Sequence, residues 1–158
     1  MRWLGIDPSL AATGWGLIEV DGPRLRHIDH GVIKTKPSTP IQERLYFIRI
    51  EIETIMGRLS VGDAIAFEET HFAMAKGGMS AIALARAQGA ILSATGRYVT
   101  TVEIMTPTQW RKSLGIGGNG TKEAAGIAVR TLLGLDEVPT PHDAAEGLGI
   151  AIAGSTRR

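Results

Sequence analysis

The chain has 158 residues, enough to bury a core but few enough that we expect one domain spanning 1–158. Its 44% hydrophobic and 21% charged residues are ordinary for a folded protein and argue against extensive disorder. The lack of cysteine excludes disulfides and thiolate metal sites, and a net charge of +1 gives no global argument for nucleic acid. No apolar run reaches the roughly 20 residues of a membrane span, so we expect no membrane association and a cytoplasmic location.

The first half of the chain alternates short apolar segments with one amphipathic helix. Three β-prone stretches, at 2–7, 13–20 and 25–36, predict three strands, the first two joined by a compact turn. From Ile41 onward, apolar side chains recur every three or four residues, which predicts a helix that ends near Gly57. The run at 64–67 predicts a buried strand whose tip carries Glu68.

The second half is mainly helical. We predict an Ala-rich helix at 79–97, a fifth strand at 100–105, and helices at 107–114, at 121–133 and from Thr140 onward. The Gly-rich stretch 115–120 is expected to be mobile. This order of elements predicts an α/β fold with a mixed five-stranded sheet flanked by helices.

Four acidic side chains lie where elements begin or end. Asp7 and Glu68 each terminate an apolar strand, and strand ends are where α/β sheets collect ligands. Asp143 and Glu146 are three residues apart, so on a helix they share one face. Converging carboxylates suit hard cations such as Mg²⁺ or Mn²⁺, and a pair of ions would suit phosphodiester hydrolysis.

Each acid also has a purely structural interpretation. Thr140 could cap a helix with Asp143 in its first turn, Glu146 could be an exposed helix residue, and Asp7 could stabilise a turn. Glu69 should point to the face opposite Glu68 if the strand continues, so we prefer Glu68 as the ligand.

The ordered motifs resemble the RuvC-type Holliday-junction resolvases, which have the ribonuclease H-like fold. The resemblance covers nearly the whole chain, and its motifs are Leu4-Gly5-Ile6-Asp7-Pro8, Thr13-Gly14-Trp15-Gly16, Ala66-Phe67-Glu68, Gln109-Trp110-Arg111-Lys112, Val129-Arg130-Thr131-Leu132-Leu133 and Asp143-Ala144-Ala145-Glu146-Gly147-Leu148. Ser9 replaces the glycine that usually follows Asp-Pro, which a turn tolerates if φ stays negative. Glu146 replaces the more common Asp, and its extra methylene could reposition a metal.

The resemblance implies a homodimer that nicks two strands of a four-way DNA junction symmetrically with Mg²⁺, in a bacterial cell or a phage-infected host. Carried over by position, the catalytic and metal-binding acids are Asp7, Glu68, Asp143 and Glu146. The basic residues beside them are Arg111 and Lys122. The helix at 79–97 would form the dimer contact. The aromatic wedge that disturbs junction bases would be Phe72, or His71 in its place.

The basic residues near the predicted cage support contact with DNA. Arg111 and Lys112 lie on one predicted helix, and Lys122 begins the next, where backbone donors favour phosphate. Phe72 could wedge between bases or fold onto the core, and Trp110 is expected to be a core residue. The histidines show no zinc-like spacing and are assigned no catalytic role.

Three other functions need to be weighed. The stretch from Gly115 to Lys122 imitates a phosphate-binding loop, but its Thr-Lys order is reversed and no strand precedes it. A ribonuclease H-like enzyme acting on RNA, hybrid or other branched DNA would share the carboxylates, so substrate tests must separate it. A non-catalytic junction-binding module would not need four acids.

Overall fold

The computed structural model describes residues 1–69, 78–96 and 101–157. Its elements in chain order are β1 (Arg2–Asp7), β2 (Ala12–Asp21), β3 (Arg24–Lys34), α1 (Ile41–Met56), β4 (Ala64–Glu68), α2 (Gly78–Thr95), β5 (Thr101–Met105), α3 (Pro107–Ser113), α4 (Lys122–Leu133) and α5 (His142–Ser155). The order matches the sequence prediction, with β3 ending at Lys34 instead of residue 36 and α2 ending at Thr95 instead of residue 97.

The five strands form one mixed sheet in the order β3-β2-β1-β4-β5. The hairpin pairs β1/β2 and β2/β3 are antiparallel, whereas β1/β4 and β4/β5 are parallel. The mixed five-stranded sheet is therefore as predicted. Because β1 and β4 run parallel as neighbours, their carboxyl ends meet at the same edge of the sheet.

Side chains alternate along the strands and build a separate core on each face of the sheet. Along β4, Ala64 and Ala66 join the core beneath α3, α4 and α5, while Ile65 and Phe67 join the core beneath α1 and α2. The small side chains therefore lie on the α5 face. This asymmetry lets α5 approach the sheet more closely than α1 and α2, which pack on large side chains.

Helix α5 lies in backbone contact with β1 and β2. A Cβ placed on Gly14 would overlap the carbonyl oxygen of Asp143, and a Cβ on Gly147 would lie 2.5 Å from the carbonyl carbon of Trp15. Such separations are far below ordinary contact distances, so only glycine fits at these two positions. This close approach places the start of α5 beside the end of β1.

Two of the later helices begin with a side-chain cap, whereas the last helix does not. Thr106 forms a capping box with Gln109 at α3, and the Thr121 side chain accepts the N–H of Ala124 at α4. The prediction that Thr140 caps the last helix is wrong, because Pro141 is the N-cap of α5 and no side-chain cap bond forms there. Asp143 nevertheless lies in the first turn, where an acid interacts well with the helix dipole.

Membrane insertion finds no support among the helices. Within the three described segments, no helix is both long and apolar enough to span a bilayer.

Candidate active site

The first two acids of the site are set by the parallel pairing of β1 and β4. Ile6 pairs with Phe67, so Asp7 and Glu68 follow at adjacent positions where the two strands end. Ser9, in the turn after Asp7, has no positive φ, which meets the condition under which a serine is tolerated here. The Ser9 carbonyl accepts the Thr13 hydroxyl at 2.6 Å, which ties the turn to the start of β2.

Helix α5 supplies the other two acids from its first two turns. One carboxylate oxygen from each of Asp7, Asp143 and Glu146 lies within 4.8 Å of the others. Glu146 is 3% exposed, so its carboxylate is held in the protein rather than in solvent. The structure therefore brings together three of the four predicted acids, although they are separated by 136 to 139 positions along the chain from Asp7.

Glu68 lies beside these three acids but is not part of the three-oxygen group. Its Oε2 accepts the indole N–H of Trp110 at 2.6 Å, and Trp110 is completely buried. The prediction that Trp110 is a core residue is confirmed, but the sequence analysis missed its contact with Glu68. A usable signal existed, because a buried indole N–H almost always has an acceptor and Glu68 ends a neighbouring strand.

The acids repel one another strongly. Burial raises the pKa of Asp7 well above its ordinary value, and the negative charges of Glu68, Glu146 and Asp143 raise it further. Lys122 acts in the opposite direction on the same pKa. The carboxylate of Asp7 is therefore unfavourable in its charged form unless a cation is close by.

Two basic side chains flank the acids. Arg111 contacts Glu146 at 3.2 Å, and Lys122 contacts Asp143 at 3.0 Å and Glu146 at 2.6 Å. Partial burial acts to lower the pKa of Lys122, but its hydrogen bonds to the two carboxylates outweigh this and raise the pKa above its ordinary value. Lys122 therefore stays charged at physiological pH.

The remaining predicted residues are more peripheral. Lys112 is exposed on α3, and Glu69 is half-buried just after β4. His71 and Phe72 lie outside the described residues. His27 and His30, which were assigned no role, lie with ring nitrogens 2.8 Å apart on β3.

The donor set fits a hard divalent cation. Three carboxylates offer oxygens within 4.8 Å of one another, and the Lys122 ammonium already bridges two of them, so this position favours positive charge. Carboxylate oxygens are the ligands that Mg²⁺ and Mn²⁺ prefer. Asp7, Asp143 and Glu146 are therefore suited to hold such an ion, with Glu68 adjacent.

Comparisons with known proteins agree with this architecture. A relative from Desulfitobacterium hafniense, a crossover junction endodeoxyribonuclease RuvC, is 37% identical over 152 residues, covering 96% of this chain and 90% of the relative. A relative of the same description from Thermotoga petrophila is 35% identical over 151 residues, again covering 96% and 90%.

The structural match spans the same length. The structure of Thermus thermophilus RuvC in complex with Holliday junction substrate superposes with a TM-score of 0.86 at 29% identity, covering 98% of this chain and 93% of that one. This match confirms the predicted ribonuclease H-like fold. The family model of crossover junction endodeoxyribonuclease RuvC matches residues 3–154, and with nearly the whole sequence accounted for, the chain belongs to this enzyme family.

Proposed function

We propose that this protein resolves four-way DNA junctions by hydrolysing one phosphodiester bond in each of two strands. The observation that carries the proposal is the convergence of Asp7, Asp143 and Glu146 within 4.8 Å in a member of this family. A relative of the same family has been solved with a Holliday junction bound, which makes branched DNA the substrate to test first.

The three converging carboxylates and Glu68 are the proposed ligands for Mg²⁺, with Mn²⁺ as a substitute. Divalent cations in such a cage would supply charge stabilisation and an activated water for phosphodiester hydrolysis, with two ions the arrangement we favour. The protein's own part is to hold the oxygens in place. Asp7 does so from a strand end, and Asp143 and Glu146 from a helix packed directly on that strand.

Arg111 is the proposed contact for the phosphate beside the scissile bond. Its side chain is 21% exposed and already bound to Glu146 on one nitrogen. Its Nε–H is buried and has no hydrogen-bond partner within the described part of the chain. A buried donor without an acceptor is costly. A small rotation of the partly exposed guanidinium would bring this N–H to a phosphate oxygen, a group that arginine binds well.

Lys122 has a different proposed role, because it now neutralises two of the acids. Once the charge of Asp143 and Glu146 is balanced by cations, its ammonium can turn to a phosphate oxygen. Its side chain is 50% exposed, so this movement needs no opening of the core. Lys112, exposed one residue after Arg111, would add a contact to the DNA backbone.

We also propose that two copies pair through α2 to cut the two strands symmetrically. Support comes from the exposed apolar side chains Met79 (80%) and Ile82 (44%), which lie on that helix. Ile82→Lys should give a monomer in analytical ultracentrifugation. Ile127→Lys on α4, at a site with 51% exposure, is the matched control and should leave the assembly unchanged.

One cleavage assay tests the main proposal and its alternatives. The protein is incubated with Mg²⁺ and a labelled four-way junction, and in parallel with linear duplex, single-stranded DNA and an RNA–DNA hybrid. We expect paired nicks at symmetric positions in the junction only. Preferential cleavage of the hybrid would favour the RNA-directed alternative, and tight junction binding without any cleavage would favour a binding module.

A further inference from the structure

Two consecutive residues of the short helix α3 hold two different acids of the site. Trp110 donates its indole N–H to Glu68 Oε2 at 2.6 Å, and Arg111 donates to Glu146 Oε1 at 3.2 Å. The Arg111 guanidinium also lies 4.9 Å from the centre of the Trp110 ring. Helix α3 therefore links the end of β4 to the second turn of α5.

Helix α3 is itself held in place by a buried side chain and by a capping box. Trp110 is completely buried, and α3 begins with the reciprocal capping box of Thr106 and Gln109. An indole has one N–H donor and no acceptor, and it neither gains nor loses a proton at physiological pH. It therefore brings no titratable charge to the site and acts on Glu68 through this one hydrogen bond.

We propose that Trp110 is a positioning residue: its hydrogen bond takes up one lone pair of Glu68 Oε2 and fixes the orientation of the carboxylate, which disfavours binding of a divalent cation through both oxygens. This inference rests on the proposed metal-dependent function and adds a source of metal selectivity to it. Ca²⁺ commonly takes carboxylates through both oxygens, whereas Mg²⁺ has stricter six-coordinate geometry and is usually bound through single oxygens. Disfavouring binding through both oxygens of Glu68 therefore disfavours Ca²⁺ relative to Mg²⁺.

The test measures metal binding in the absence of DNA. Melting temperatures of the wild type and of Trp110→Phe are followed while Mg²⁺ or Ca²⁺ is added, and the half-maximal concentration is taken for each ion. Trp110→Phe removes the hydrogen bond to Glu68, and hydrogen bonds to charged groups are strong. Without it, binding through both oxygens of Glu68 becomes easier, so the Ca²⁺ midpoint should fall relative to the Mg²⁺ midpoint by about three- to tenfold.

Two controls separate positioning from packing. Trp3→Phe removes another fully buried indole from β1, and it should lower the melting temperature without changing the ratio of the two midpoints. In a Glu68→Gln background, Trp110→Phe should no longer change that ratio, because the carboxylate on which it acts is gone. If Trp110→Phe does not fold, benzothienylalanine at position 110 keeps the ring shape and removes only the N–H.

The outcomes distinguish this inference from the proposed function. An unchanged ratio of midpoints in Trp110→Phe, or the same change in the Glu68→Gln background, would overturn the positioning role. A changed ratio in a protein that does not cut junctions would keep the positioning role and reject the substrate. If neither ion raised the melting temperature of the wild type, the carboxylate cage itself would be wrong.

Discussion

Replacing Asp7 with asparagine should stabilise the metal-free protein while abolishing DNA cleavage. Asp7 lies within 4.8 Å of oxygens of both Asp143 and Glu146. At that separation and an effective dielectric constant of about 20, each like-charge pair costs roughly 3.5 kcal/mol. Lys122 and partial solvent exposure offset most of this, which leaves an expected gain of about 1 to 3 kcal/mol for the neutral side chain.

The gain should depend on pH in a defined direction. Because the pKa of Asp7 is raised in the fold, the stability that its carboxyl group contributes is fully present below the ordinary aspartate pKa and is lost as pH rises through the raised value. The advantage of Asp7→Asn should therefore grow with increasing pH. For a domain of this size, about 1 kcal/mol corresponds to a Tm increase of roughly 2 to 4 °C.

The assay compares Tm in EDTA and in saturating Mg²⁺, together with cleavage of a four-way junction. Asp136→Asn, the same substitution at an exposed aspartate, should change Tm little and leave cleavage intact. Asp7→Asn should melt higher than the wild type in EDTA and gain less from Mg²⁺. A lower Tm than the wild type in EDTA would refute the charge argument, and retained cleavage would remove Asp7 from the cage.

Three further substitutions probe interactions that stabilise the fold. Gly14→Ala should lower the free energy of unfolding in urea by about 1 to 3 kcal/mol, because its methyl overlaps the backbone of α5. Thr121→Ala should cost about 1 kcal/mol in the same experiment, since it removes the side-chain cap of α4. The hydrogen bond from Arg58 lowers the pKa of Asp29, so the stability from this pair is present above the ordinary aspartate pKa and is lost as pH falls through the lowered value. Arg58→Gln should therefore cost less than about 1 kcal/mol at neutral pH and nothing in strong acid, and an equal cost at both pH values would contradict this account.

Local sequence patterns predicted most of the framework. The three- and four-residue spacing of Ile48, Ile52 and Ile55 predicts the buried face of α1, and all three side chains are buried. The apolar runs before Asp7 and Glu68 predict buried strands with acids at their tips, as the structure shows. These predictions succeed because each depends on neighbours along the chain.

Features that depend on distant parts of the chain were harder to predict. The hydrogen bond from Trp110 to Glu68 joins residues 42 positions apart. A core tryptophan indicates that its indole N–H has an acceptor, but the local pattern does not identify that acceptor. The prediction of a Thr140 cap was wrong for a local reason. A threonine before proline resembles a helix start, but α5 begins one residue later than a Thr140 cap requires. Whether Phe72 or His71 contacts junction bases stays a prediction.

The two faces of the sheet differ in the size of their side chains. One face stabilises the fold, and the other allows α5 to approach the sheet closely. Large residues such as Ile65 and Phe67 hold α1 and α2 at a distance set by their volume, which stabilises the fold. On the other face, glycine and alanine remove that spacing, so the backbone of α5 rests on β1 and β2. The metal-binding geometry needs this contact, because Asp143 and Glu146 have short side chains that must reach the end of β1. The small residues of this face are therefore as much a condition of the chemistry as the acids themselves.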